Sequence, residues 1–356
     1  MTVKNNTSLL LSILITLLLL TSLSCSPGKS ESPGSQGGSE KETAAPQSMS
    51  LAVFVPGVLA GSPTYEMMDA GVRKAAGEYG ATVKTVEGGF NQAEWKSKVL
   101  ALAAEKKYDL IISSNPSMPE ICRDIKKSFP DQEFLVLEGS RIENDTVSTF
   151  LFSHLELSYM LGYLGGLITS SDELAGSNDD LKIGLIAGQE YPEMMQRIKP
   201  GFENGLKAAV PGGELDFRVI GNWYDAARAS DLALGMFDEG VDVILTIAGG
   251  ANQGVVSAAK DKGKYVLWYD TEGYSIEPGV ILGSGVIRED KAAYEQTVLA
   301  LTGKLAPGSS VYAGVHEGYI DFIDDAELYR EHVPESIRTV MSAEVAKLRD
   351  GSLQFR

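Results

Sequence analysis

The chain has 356 residues, 44% of them hydrophobic, and a formal net charge of −17 from 31 basic and 48 acidic residues. This length accommodates two α/β domains of ordinary size. The negative charge argues against nucleic acid and anionic membrane surfaces as partners, because a phosphate backbone needs a basic footprint. His154, His316 and His332 are not spaced as metal ligands, so we predict neither a metal site nor a cofactor.

Residues 1–25 are predicted to be a targeting segment. Lys4 precedes a nearly unbroken apolar run at 9–20, which has the length of a signal-peptide core and is short for a membrane span. Small residues then lead to Cys25, as at bacterial lipoprotein cleavage sites. We therefore expect cleavage and lipidation at Cys25, with ordinary signal cleavage as the alternative.

Residues 26–49 are rich in Ser, Gly, Pro and Glu, and they are predicted to form a flexible tether. Such a tether would hold a folded, monomeric domain away from the membrane on the extracytoplasmic side. The folded part is predicted to begin at Ser50.

Strands and helices alternate through the rest of the chain. The first series has predicted strands at 51–55, 81–86, 110–113, 134–138 and 146–152, and helices at 67–78, 92–106 and 119–128. After an apolar helix at 155–169, the second series has strands at 181–187, 215–220, 241–248, 265–269 and 280–284, and helices at 193–209, 225–239 and 251–262. A helix at 289–302, a short strand at 310–312 and a closing helix at 335–348 follow.

This alternation predicts right-handed βαβ units on parallel sheets. Two series of similar size predict an α/β protein of two doubly wound lobes with a ligand cleft between them. The glycines of the helix at 155–169 are expected to allow close helix packing, and Cys122 is expected to be a buried hydrophobic side chain.

Ligands of such sheets bind beyond the carboxyl ends of the strands, so residues that follow strands are the candidate contacts. These residues are Thr64, Tyr65, Ser114, Asn115, Trp223, Gly249, Asn252 and Asp270. Trp223 would either stack on a ligand or plug the end of the sheet, and Asp270 would either accept hydrogen bonds from a diol or start a turn. Asp225 would be a ligand contact or a helix N-cap. Together these side chains suit a small, flat, hydroxylated ligand.

The sequence contains no nucleophile elbow, no Walker A loop and no G-x-G-x-x-G after the first strand, so we predict that the protein is not an enzyme. Four stretches instead carry a family pattern: KIGLIAGQEYPEMMQRIKPGFENGLKAA (182–209), GNWYDAARA (221–229), GVDVILTIAGGANQGVVSAAKDKGKYVLWYD (240–270) and HLELSYMLGYLGGLIT (154–169). They resemble the basic membrane protein family of bacterial ABC-transporter substrate-binding lipoproteins, whose best-known members bind purine nucleosides.

The resemblance implies the type I periplasmic-binding-protein fold, with two lobes, three hinge crossings and closure on the ligand. We expect residues 50–152 and about 271–305 in the first lobe, and residues 153–270 and about 306–356 in the second. The resemblance also implies base stacking on Trp223 and a ribose contact at Asp270.

The chain departs from the nucleoside-binding members at two places. Where they carry D-D-x-S-F-N near the first helix, this chain has Gly61–Tyr65, and where they carry a lysine after T-S-x-x it has Ile287, followed by Arg288. The resemblance implies capture of a small polar ligand, first of all a purine nucleoside or base, for an ABC-importer permease. A sugar or other hydroxylated ligand, a ligand sensor and a surface adhesin are the alternatives.

Overall fold

The computed structural model describes residues 48–139 and 146–355. The predicted targeting segment, its Cys25 and the tether up to residue 47 lie outside the described residues. Within the described ranges, no helix is both long and apolar enough to cross a bilayer.

Twelve strands of the described chain form two six-stranded sheets. In chain order they are β1 (Ser50–Val55), β2 (Thr82–Glu87), β3 (Leu110–Ser114), β4 (Glu133–Leu137), β5 (Ser148–Phe152), β6 (Lys182–Ala187), β7 (Glu214–Val219), β8 (Val241–Ile247), β9 (Tyr265–Trp268), β10 (Ile281–Ile287), β11 (Ser310–Ala313) and β12 (Ile320–Phe322). The first sheet has the order β11-β5-β4-β3-β1-β2 and is parallel throughout. The second has the order β12-β10-β9-β8-β6-β7, in which β12 alone runs antiparallel to its neighbour.

Helices connect the strands and cover the sheets. They are α1 (Pro63–Tyr79), α2 (Gln92–Glu105), α3 (Met118–Lys126), α4 (His154–Thr169), α5 (Lys199–Ala209), α6 (Ala226–Asp238), α7 (Asn252–Lys262), α8 (Glu289–Leu301), α9 (Glu327–His332) and α10 (Glu335–Arg349). The predicted α/β fold of two doubly wound lobes is confirmed. β12 and α9 have no counterpart in the prediction because each is too short to show a periodic pattern.

The chain passes between the lobes three times, after β5, after β10 and after β11. β10 belongs to the second sheet and β11 to the first, so the predicted placement of 271–305 and 306–356 is wrong for these two strands. The prediction is wrong because the chain crosses between the lobes after each of these strands and not before it. α8, which directly follows β10, packs on α1 of the first lobe. Backbone hydrogen bonds from Ser153 N to Ala313 O (2.9 Å) and from Arg288 N to Tyr319 O (2.8 Å) join adjacent crossings.

Close packing of α4 on α5 organises the second lobe. A Cβ added to Gly162 would lie 2.0 Å from the carbonyl oxygen of Phe202, and one added to Gly205 would lie 2.1 Å from that of Tyr159. Only glycine lets the two backbones approach so closely. The expected role of the glycines in helix packing is therefore confirmed for Gly162.

The predicted helix at 193–209 begins with a π-helical turn, Met194–Ile198, before α5. Pro200 lacks a backbone N–H and its ring crowds the preceding turn, which explains a widened turn at this place. Such turns are frequent beside functional sites, and this one directly follows the loop after β6.

Candidate functional site

Polar and aromatic side chains from both lobes meet at the carboxyl ends of the two sheets. The first lobe contributes residues after β1, β3 and β4, and the second contributes residues after β6, β7 and β9. His154 at the start of α4 and Glu289 at the start of α8 stand at the first two crossings. We refer to this junction as the cleft.

His154 joins the two lobes across the cleft. Its Nε2 lies 2.8 Å from the Glu138 carboxylate, and its Nδ1 lies 3.0 Å from the hydroxyl of Tyr269. Burial alone would lower the pKa of His154, but the charge and the hydrogen bond of Glu138 outweigh it and raise the pKa to about 9. At neutral pH both ring nitrogens therefore carry protons, and they donate to Glu138 and Tyr269.

Asp270 lies in the loop after β9 of the second lobe. Burial, and next the negative charge of Glu138, raise the pKa of Asp270 from 3.8 to about 7, while His154 acts in the opposite direction. No side-chain hydrogen bond holds its carboxylate among the described residues, and some of the residue stays accessible to solvent. The carboxylate is therefore available to a ligand.

Glu289 occupies the first turn of α8 and is completely buried. Neither of its carboxylate oxygens has a hydrogen-bond partner in the described structure, and the same holds for Oε1 of Glu138 and Oγ of Ser114. Burial, together with the charges of Glu138 and Asp270, raises the pKa of Glu289 well above its usual range, whereas nearby Ser114 lowers it. Buried carboxylates without partners are costly, so this group calls for an explanation.

The backbone at two of these acids is strained. Glu138 has φ of 52° and Asp270 has φ of 72°, both in the left-handed region that side chains with a Cβ rarely adopt. Glu138 immediately follows β4, and Asp270 lies two residues after the end of β9. Strain of this kind persists at functional sites, where it holds a side chain in a required position.

Trp223 provides an aromatic surface at the second-lobe side of the cleft. Its side chain is 40% exposed, and a Cβ added to Gly188 would lie 2.6 Å from the indole ring. Tyr191 lies beside it, with ring centroids 6.0 Å apart, and the pKa of Tyr191 is raised by burial and by the charge of Asp270. The indole thus lies over the end of β6 and is partly open to solvent. Gly249 leaves room for the Trp223 backbone, since a Cβ there would lie 3.1 Å from the Trp223 carbonyl.

Other predicted contacts have local structural partners. Thr64 and Tyr65 lie in the first turn of α1, which begins at Pro63 instead of the predicted residue 67, because proline fits the first helical position. The Tyr65 hydroxyl donates to Pro56 O at 3.2 Å, and its pKa is raised to about 12, chiefly by burial. Asn115 Oδ1 accepts from Ser117 N at 2.9 Å.

Asn252 and Asp225 also serve the second lobe itself. Asn252 Oδ1 accepts from Thr246 Oγ1 (2.7 Å) and Ala248 N (2.8 Å), which ties the start of α7 to the end of β8. Asp225 Oδ1 accepts from Arg228 N at 3.0 Å, so the N-cap interpretation is the one the structure shows. Ligand contact by the eight predicted residues remains a prediction.

Sequence reasoning missed three members of the cleft: Glu138, His154 and Glu289. Glu138 follows β4 as Asn115 follows β3, so the rule that picked out the other candidates applies to it equally. His154 has no partner close to it in the sequence to mark it as a site residue. Its partners, Glu138 and Tyr269, follow strands of two different sheets. Arg288, at the place next to the missing family lysine, is exposed to solvent.

On the described surface, no metal-binding cluster is present, and a groove outside the cleft does not resemble it. Over the described ranges, no group of three or more His, Cys, Asp or Glu side chains is arranged to hold a metal ion. An open groove of about 390 Å³ lies between α1 and α8, but its charged side chains are exposed or half-buried. The buried carboxylate oxygens that lack a hydrogen-bond partner in the described structure, those of Glu138 and Glu289, are in the cleft.

With the fold and the cleft described, the chain can be compared with known proteins. The model of the Bmp family, described as ABC transporter substrate-binding protein PnrA-like, matches residues 48–347. The chain is 22% identical to the CD4+ T-cell-stimulating antigen of Listeria monocytogenes over 280 residues, which cover 74% of each protein. It is 25% identical over 158 residues to the ABC transporter nucleoside-binding protein BmpA of Lactococcus lactis, covering 44% of this chain and 42% of that protein.

A solved structure shows the same fold. A solute-binding protein of an ABC transporter system from Aeropyrum pernix aligns with a TM-score of 0.71 at 21% identity, covering 86% of this chain and 93% of that chain. The predicted periplasmic-binding-protein fold is thereby confirmed. Since the family model matches well over half of the chain, the protein belongs to the Bmp family of PnrA-like ABC-transporter substrate-binding proteins.

Proposed function

We propose that this substrate-binding protein captures a purine nucleoside or base in the cleft and delivers it to the permease of an ABC importer. The observation that carries the proposal is the 40% exposed Trp223 beside Tyr191, whose pKa is raised in part by the charge of Asp270. The indole would stack on the base, and the Asp270 carboxylate would accept hydrogen bonds from the ribose hydroxyls.

The spacing of these two groups supports a ligand of nucleoside size. The indole lies over Gly188 at the end of β6, and β8 separates β6 from β9, which leads to Asp270. Because neighbouring strands are about 4.8 Å apart, the two groups are roughly 10 Å apart, comparable to the length of a nucleoside. The relative from Lactococcus lactis whose name includes nucleoside binding points to the same ligand class.

Delivery requires that the protein stay near its permease. The apolar run at 9–20 followed by Cys25 supports a lipid anchor, and the Ser- and Gly-rich stretch at 26–47 would give the lobes the reach to dock while tethered. The protein would then act outside the cytoplasm as a tethered monomer. No reaction is needed for this role: a ligand drives closure by binding the closed state more tightly than the open one.

Titration calorimetry with adenosine, guanosine, inosine, purine bases and simple sugars tests the ligand class. Trp223→Ala should weaken nucleoside binding by about 1–3 kcal/mol, and Asp270→Ala by about 1.5–3 kcal/mol. Tyr224→Ala is the matched control, because the neighbouring Tyr224 is 80% exposed and belongs to the same loop. Equal losses for Trp223→Ala and Tyr224→Ala, or sugar binding with inert nucleosides, would contradict the proposal.

A further inference from the structure

The cleft contains more negative charge than its own residues balance. When ionised, Glu138, Asp270 and Glu289 contribute three negative charges and His154 one positive charge, which leaves a net charge of −2. These groups are close enough that Glu138 and Asp270 each act on the pKa of Glu289, and Glu138 acts on that of Asp270. In the described residues, Glu138 has a salt bridge only with His154, and neither Asp270 nor Glu289 has one.

Glu289 is the member of this group that points to a ligand. Its side chain is 0% exposed, and both of its oxygens lack hydrogen-bond partners across the described structure. The Oγ of Ser114 is the polar atom next to it: as a weak hydrogen-bond donor it lowers the pKa of Glu289, but its geometry falls short of a full hydrogen bond. A fully buried carboxylate with no partner is satisfied most readily by a cation that brings its own hydrogen-bond donors.

The start of α8 offsets only part of this cost. Glu289 is the first residue of the helix, where the macrodipole favours a negative charge. The stabilisation by the macrodipole is only a fraction of the free energy needed to remove a carboxylate from water. The charges of Glu138 and Asp270 add repulsion to that cost. The residue that stands where the nucleoside binders of the family carry their lysine is Ile287, which is 3% exposed and has no charge to contribute.

We infer that the ligand carries a positively charged nitrogen beside its flat, hydroxylated part, and that Glu289 binds this nitrogen with Ser114 and Glu138 around it. The inference rests on the proposed function and narrows its ligand class. Trp223 and Asp270 hold the base and the hydroxyl groups, and Glu289 distinguishes a cationic ligand from a neutral one. The added charge would also relieve the repulsion among the three carboxylates.

Nucleosides that differ in charge but hardly in shape provide the test. Adenosine and guanosine are neutral, whereas 1-methyladenosine and 7-methylguanosine carry a positive charge near neutral pH. Calorimetry on the purified protein should give about ten- to hundredfold tighter binding of the charged member of at least one pair. Glu289→Gln should abolish this preference, so that the charged and neutral members of the pair bind with affinities within about threefold of each other.

Asp290→Asn is the matched control, because it removes the same charge from the next residue of α8, which is exposed. It should leave the preference intact, and circular dichroism should show that both variants are folded. Glutamine resembles a protonated carboxyl group. If neutral nucleosides bind more tightly and Glu289→Gln retains every affinity, Glu289 is a neutral hydrogen-bond donor and the inference is wrong.

The small molecule released when the purified protein is denatured separates this inference from the proposed function. A released cation that is not a nucleoside would support the role of Glu289 and refute the nucleoside. A released neutral nucleoside would support the proposed function and refute the role of Glu289. A stoichiometric metal ion found by elemental analysis would contradict both, as would failure of all four nucleosides to bind when no ligand is released.

Discussion

The raised pKa of Asp270 predicts that this carboxylate destabilises the ligand-free protein at neutral and alkaline pH. Between pH 3.8 and about 7, the unfolded chain has released the Asp270 proton while the folded protein keeps it. The free energy of unfolding therefore falls as the pH rises through this window, and the loss is complete above pH 7. Asp270→Asn cannot ionise and should escape the loss.

The size of the effect follows from the difference between the two pKa values. About three pKa units at 1.36 kcal/mol each set an upper limit of about 4 kcal/mol, and solvent access to Asp270 reduces it. For a protein of this size, 1 kcal/mol shifts Tm by roughly 2 °C, so the variant should melt up to about 8 °C higher at pH 8. Asparagine tolerates the left-handed backbone of this position, so the substitution adds no strain.

The assay is thermal unfolding of ligand-stripped wild-type and variant protein from pH 4.5 to pH 8. The difference in Tm should be near zero at the acidic end and should grow up to pH 7. Asp231→Asn serves as the control, because it removes an exposed aspartate from α6 and should show no such trend. A difference that does not change with pH, or a variant less stable than wild type at pH 8, would refute the reasoning.

The remaining predictions concern packing, reactivity and the anchor. Gly162→Ala should lower the free energy of unfolding by about 1–3 kcal/mol in urea titrations, because its Cβ would meet the Phe202 carbonyl, whereas Gly77→Ala, in open space within α1, should raise it by about 0.5–1 kcal/mol. Cys122 should resist a maleimide reagent in the folded protein and react after denaturation, because burial raises the pKa of its thiol and hides it; modification of the folded protein would contradict this. Cys25→Ala should move the expressed protein from the membrane fraction to the soluble fraction, and an unchanged distribution would refute the lipid anchor.

The sequence predicted the architecture well because its signal is local and periodic. Val241–Ile247 is apolar apart from Asp242 and Thr246 and forms a strand that is buried along its whole length, as expected between two layers of helices. Which sheet β10 and β11 join could not be read from periodicity. That choice depends on where the crossings fall, and these are set by contacts such as α8 on α1.

The site was predictable in part for the same reason. Trp223 and Asp270 come after β7 and β9 and were found by position, whereas His154 and Glu289 depend on groups that reach them from other elements. A buried unpaired carboxylate has no sequence signature, since Glu289 is one of 48 acidic residues in the chain. Only its burial beside Ser114 and Glu138 in the folded protein distinguishes Glu289 from an acidic residue that is exposed to water.

The most direct test of the account is mass spectrometry of the small molecule that leaves the purified wild-type protein on denaturation, compared with the Trp223→Ala and Tyr224→Ala proteins. We expect a stoichiometric, flat, hydroxylated compound, a purine nucleoside with a cationic nitrogen, from wild type and Tyr224→Ala, and little or none from Trp223→Ala. The same compound in equal amount from all three proteins would place the ligand outside the cleft and contradict the account.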